Sequence, residues 1–136
     1  MRKFLLIFSL LLVSASSLYS QDDGDHDGNE KIRDKMNEYI QKRLDLSDAE
    51  AKKFTPVFLN YFKEWRQTIR TNRGDKLVLQ QKVVDLRLRY REQFRDILGE
   101  KRGNQVFNHQ EKFIQELRAI NKSRGGDRPL RRNRNP

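Results

Sequence analysis

Residues 46–69 read LSDAEAKKFTPVFLNYFKEWRQTI, and the spacing inside this stretch decides the fold class. Phe54, Phe58, Tyr61, Phe62, Trp65 and Ile69 recur at three- and four-residue intervals, which places them on one broad face of a helix. Ser47 followed by Glu50 forms a capping box: the serine hydroxyl accepts from the Glu50 amide while the glutamate carboxylate reaches back to the Ser47 amide. A helix therefore starts at Ser47 and runs to about Asn72, where Gly74 suits a left-handed terminating residue. Pro56 inside it removes one backbone hydrogen bond and predicts a bend over 52–56.

The same periodicity extends in both directions, and no stretch alternates with period two for long enough to suggest a strand. Upstream, Ile32, Met36, Ile40 and Leu44 give a helix over about 29–44 with a narrow stripe. Downstream, Asp75 can cap a third helix reaching Leu98, whose main face carries Leu79, Val83, Leu86, Tyr90, Phe94 and Ile97. Its opposite side carries Leu77, Val84 and Leu88, continued by Arg91 and Arg95, so this helix should touch something on both sides. Gly99 breaks the pattern, and a fourth helix over about 100–121 presents Val106, Phe113, Leu117 and Ile120. The fold class is all-α: one small curved domain of about four helices over 29–121, with the second and third forming a long antiparallel hairpin. The second stripe of the third helix predicts a homodimer.

Laying Leu46 on Leu98 aligns Phe54 with Val106, Tyr61 with Phe113, Phe62 with Ile114 and Trp65 with Leu117. Each half then offers a leucine, a polar cap segment and an apolar helix, although helical periodicity alone also produces such matches.

Composition narrows the function. In 136 residues there are 29 Lys and Arg against 19 Asp and Glu, a formal charge of +10, and no cysteine. Disulfides, thiolate zinc sites and cysteine nucleophiles are excluded, and two histidines are too few for a histidine-rich metal cage. No P-loop, dinucleotide fingerprint or glycine-flanked serine elbow occurs, so no catalytic residue is assigned, no cofactor is expected and an enzyme is disfavoured.

Arg2 and Lys3 precede an apolar run over 4–13 and small polar residues over 14–17, the order of a secretory signal peptide. Cleavage near Ser20 would leave a mature chain of charge +8, exported to the periplasm. Residues 21–28 then read as an acidic linker and 122–136, rich in arginine, as an unfolded basic tail that could steer toward anionic headgroups or acidic clients. Asp23, Asp25, His26, Asp27 and Asp34 fall near the oxygen-ligand spacing of a calcium loop, but the twelfth position is Asp rather than a bidentate Glu, and no helix precedes it. We read the segment as a solvated linker with no metal. His109, at the edge of the fourth helix's stripe, reads as a boundary residue bonded to solvent or a neighbour.

Residues 44–58, with the cap at Ser47, Pro56 and the following aromatics, resemble the helix start and proline segment of the exported Spy/CpxP-like proteins, and 94–113 is similar to that family's second copy. Here Ser47 and Glu50 stand where the family motif has Thr and Gln, and Gly99 and Arg102 stand at the second copy's Thr and Gln. The resemblance implies a curved antiparallel dimer. It also implies either an ATP-independent chaperone for unfolded envelope proteins or a sensor acting on a membrane signalling partner, such as one linked to extracytoplasmic-function sigma factors or to metal and stress responses.

Leu77, Val84 and Leu88 with Arg87, Arg91 and Arg95 combine apolar contact with positive charge, and are the candidate surface for a client or partner. The bland alternative is a solvated helix in which Asp85, Glu92 and Asp96 pair with the arginines. Export argues against nucleic acid as the partner.

Overall fold

The computed structural model describes residues 26–126. Four helices follow one another: α1 His26–Arg43, α2 Asp48–Thr71, α3 Lys76–Leu98 and α4 Glu100–Gly126. No strand occurs among the described residues, so the fold class is all-α. The segments expected as signal peptide (1–20), as the first five residues of the acidic linker (21–25) and as the tail beyond Gly126 lie outside the described residues.

The local chemistry at each helix start explains the order. Ser47 takes extended backbone angles before α2; its Oγ accepts from the Glu50 amide at 3.1 Å, and the Ser47 amide donates to Glu50 Oε1 at 3.1 Å. Asp75 Oδ1 accepts from the amides of Leu77 and Val78, both at 3.1 Å, satisfying two donors that a helix start leaves open. Between α3 and α4 there is only Gly99, with φ 83° and ψ 166°, a conformation that side-chain-bearing residues rarely adopt. That single residue reverses the chain.

Neighbouring helices run antiparallel. Phe94 of α3 packs on Phe54 of α2 and on Phe107 of α4, while Tyr90 meets Tyr61. At Gly103 the α4 backbone approaches α3 so closely that an added Cβ would lie 2.7 Å from the Arg95 backbone. The first helix closes the bundle by lying against α2 and α4. The buried core is Met36, Ile40 and Leu44 of α1, Phe54, Phe58, Tyr61 and Phe62 of α2, Leu86, Tyr90, Phe94 and Leu98 of α3, and Val106 of α4. Burial of each phenylalanine contributes about 1.5–3 kcal/mol, so this aromatic cluster stands in for the missing disulfides.

The core is concentrated toward the end that holds the 44–47 turn and Gly99. At the other end it thins: Trp65 is only half-buried and Leu77 is exposed. Four local expectations change. The first helix begins three residues earlier, at His26, and α4 continues to Gly126, so 123–126 are helical rather than the start of the tail. Gly74 does not end α2; Asn72 does, its side-chain Nδ2 donating to the Thr68 carbonyl at 2.9 Å. Ile120, expected in the core, is half exposed, because it lies in the thinned end of the bundle. Pro56 is exposed, and α2 runs through it as one helix.

Candidate functional site

Spacings of seven and four place Leu77, Val84 and Leu88 on one face of α3, and all three are exposed, at 77, 53 and 47%. No helix among the described residues covers them, since α2 and α4 take the other sides of α3. The sequence-predicted apolar row therefore exists as a surface.

The arginines assigned to the same surface are placed differently. Arg87 turns into the seam between α3 and α4, where it donates to Glu111 Oε1 at 2.5 Å and Gln110 Oε1 at 3.3 Å and lies over the Phe107 ring at 5.5 Å. Arg95 donates to Asn104 Oδ1 at 2.7 Å and to Glu92 at 3.1 Å. Arg91 is half-buried, with its Nε shielded and making no hydrogen bond within the protein. Helix α4 packs along the flank that carries these residues, so Arg87 and Arg95 hold the bundle together beside the apolar row.

Behind Arg87 lies a buried polar network that hydrophobic periodicity does not signal. Tyr61 Oη donates to Gln110 Oε1 at 2.6 Å, Arg87 Nε reaches Tyr61 Oη at 3.4 Å, and Gln110, fully buried, leaves its Nε2 without a partner in the protein. Burial raises the Tyr61 phenol above its ordinary range. On the other flank Tyr90 Oη donates to Glu64 Oε1 at 2.6 Å, and Arg89 meets the second carboxylate oxygen at 3.0 Å. Burial and the Glu64 hydrogen bond push Tyr90 up to about 12, and the Tyr90 hydroxyl in turn holds Glu64 low. Both pairs tie α2 to its neighbours.

Positive charge gathers instead between α1 and α2. An open groove of about 430 Å³ lies between α1 and α2, lined by Leu59 and Phe62, by Arg33, Lys63, Arg66 and Arg70 with one acid, Glu30, and by the side-chain amides of Asn29, Asn60 and Gln67. Sequence reasoning missed this groove because its cations come from two helices at different heights, and no single window shows them together.

Metal and catalytic readings find little geometry. Asp27 and Asp34 lie on α1, a regular helix, so 26–34 does not form the ligand loop that their spacing suggested; Asp23 and Asp25 lie outside the described residues. Among the described residues no group of three His, Asp or Glu side chains is placed to hold a metal ion. His109 is half-buried on α4, a boundary position as expected, and its Nδ1 is shielded and makes no hydrogen bond within the protein.

Comparison with protein-family models, with curated proteins and with solved structures finds no match to this chain. No helix among the described residues is long and apolar enough to cross a membrane.

Proposed function

We propose that this chain is a non-enzymatic, exported polypeptide-binding protein of the Spy/CpxP-like kind, which holds unfolding envelope proteins in the periplasm without ATP. The observation that carries this reading is the exposed row Leu77, Val84 and Leu88, three large apolar side chains left open on a well-packed helix in a chain with few core residues. The basic groove between α1 and α2 adds the electrostatic attraction first assigned to the α3 arginines. The Spy/CpxP-like assignment is supported by the capping box at Ser47 and by the Glu50–Arg102 pair, which links the starts of α2 and α4 at matching positions of the two half-sequences.

A homodimer would use the same apolar row, so a second copy and a client would compete for it. Chaperone activity per chain should then fall as protein concentration rises, which light scattering beside the activity assay would follow.

The test is suppression of aggregation of several unrelated denatured proteins, with and without Leu77→Ser and Leu88→Ser together. Broad suppression that the double variant loses supports the chaperone. Suppression of none, with stoichiometric binding to one membrane signalling protein, would favour the sensor. Loss of suppression with unchanged helicity places the client on α3.

A further inference from the structure

His109 lies in the seam where α4 meets α1. Phe113 and Glu116 follow it at four and seven residues, on the same side of α4. Both touch α1: Tyr39 packs edge-on against Phe113 with ring centroids 5.5 Å apart, its hydroxyl lies 3.2 Å from Glu116 Oε1, and Arg43 approaches the same carboxylate at 3.9 Å. This seam is small beside the α2–α3 and α3–α4 contacts, and the rest of the grip on α1 comes from Met36, Ile40 and Leu44 and from Gln41 and Asn37 reaching Thr55.

The two charges that act on the ring itself are both positive. Arg43 of α1 and Lys112 of α4 both act on it, and the nearby carboxylate, Glu116, is already engaged by Tyr39 and Arg43. On the α3 side of α4 the charged groups are Arg87, Arg91, Arg95 and Glu111, and Glu111 is taken by Arg87. Among the described residues, these two carboxylates, Glu116 and Glu111, already have partners.

We infer that His109 is an acid-sensitive latch, neutral while α1 is docked on α4 and, once protonated, a third cation beside Arg43 and Lys112 that releases α1 from the bundle. Two physical costs fall on the protonated ring in the docked state. It adds like charge in a partly shielded seam, and it requires Nδ1, which has no partner in the protein, to carry an N–H where no acceptor reaches it. Burial first, and then Lys112 and Arg43, hold the imidazole below its ordinary range, as the same geometry demands. Release would uncover Tyr39, Phe113, Met36 and Ile40, apolar groups now shared between α1 and the bundle.

The sign follows from proton linkage. A histidine depressed in the folded state leaves stability intact above its unfolded pKa of about 6.5, and stability is lost as pH falls from there toward the folded value. Within that window the opening equilibrium of α1 should rise by at most about tenfold for each pH unit, the limit for one proton.

The experiment is hydrogen exchange of the full chain at pH 7.5 and pH 5, corrected for intrinsic exchange. Amides of α1 over 33–43 should lose protection at pH 5 while those of α2 over 54–62 and α3 over 86–98 keep theirs. His109→Gln should abolish the difference, and His109→Lys should lower α1 protection already at pH 7.5. His26→Gln, which removes the other histidine, should leave the acid response intact. An acid response that survives His109→Gln, or one that spreads equally over all four helices, overturns the inference. So does titration of the His109 ring in the wild-type protein at or above the ordinary imidazole range, a readout that needs no variant to fold. None of these measurements involves a client, so the latch can fail while the chaperone reading stands, and the reverse.

Discussion

Glu50 and Arg102 face each other across the starts of α2 and α4, with Arg102 Nη1 at 3.0 Å from Glu50 Oε1 and a second contact between Nη2 and Oε2. When Leu46 is laid on Leu98 these two residues occupy the same position of the two half-sequences, so the pair joins a helix start to its own counterpart. Glu50 does two things at once, capping α2 through the Ser47 amide and binding Arg102.

The first prediction concerns acid. The Arg102 guanidinium, and next the Ser47 amide, hold the Glu50 carboxyl below its ordinary range. A carboxyl depressed in the folded state adds stability above its unfolded pKa and loses it as pH falls through the folded one. Glu50→Gln should therefore flatten the loss of stability below about pH 4, seen as a shallower slope of denaturant midpoint against pH. Ser47→Ala, which removes only the cap acceptor, should cost about 1 kcal/mol with no change in that slope.

The buried pair Tyr61 and Gln110 gives the second. Tyr61→Phe removes the hydroxyl that donates to Gln110 and leaves a buried amide with its Nε2 already unpartnered, at an expected cost of about 1–3 kcal/mol in urea unfolding. Joining it to Gln110→Leu removes the stranded amide, although Arg87 then loses two acceptors. The double variant should be more stable than the Tyr61→Phe single. Equal or lower stability would mean that the network is held together mainly through Arg87.

Two glycines separate two mechanisms. Gly103→Ala would force a Cβ to within 2.7 Å of the Arg95 backbone, which cannot move without parting α3 from α4; about 1–3 kcal/mol is expected, with a loss of near-ultraviolet circular dichroism. Gly99→Ala meets nothing within 4 Å, and its cost comes from φ 83° alone, of order 1–3 kcal/mol. Its effect should spare the core spectrum.

What was legible in the sequence follows the same division. Phe54, Phe58 and Leu86 announce their faces because apolar spacing is a local property, and Ser47 and Asp75 announce helix starts because capping needs only a few consecutive residues. The exposed row on α3 was legible for that reason too. The direction taken by Arg87 was not: it is set by Glu111 of α4, which lies 24 residues further on in sequence but next to it in space. Gln110 belongs to no apolar stripe, and its partner Tyr61 comes from another helix; Gly103 showed no pattern at all. The groove between α1 and α2 is lined by two helices, and no spacing within either one encodes it.

The last prediction concerns how a client is captured if the chaperone reading holds. Arg87 and Arg95 are engaged in the bundle, so reversing Arg95 to Glu should destabilise the α3–α4 seam rather than alter encounter with clients. Attraction should come from the groove, where Lys63 of α2 and Arg33 of α1, which pairs with the exposed Asp34 at 2.9 Å, carry positive charge. Charge reversal at both should slow association with an unfolded acidic protein, and salt should do the same, because exposed charges are screened beyond about 8–10 Å at physiological ionic strength. Leu88→Ser should instead speed release, since apolar contact on the row governs residence once a client is bound. Stopped-flow association and dissociation rates across a salt series check both arms. An association rate indifferent to salt and to the Arg33 and Lys63 reversals would exclude the groove as the point of first contact, and a dissociation rate indifferent to Leu88→Ser would exclude the row.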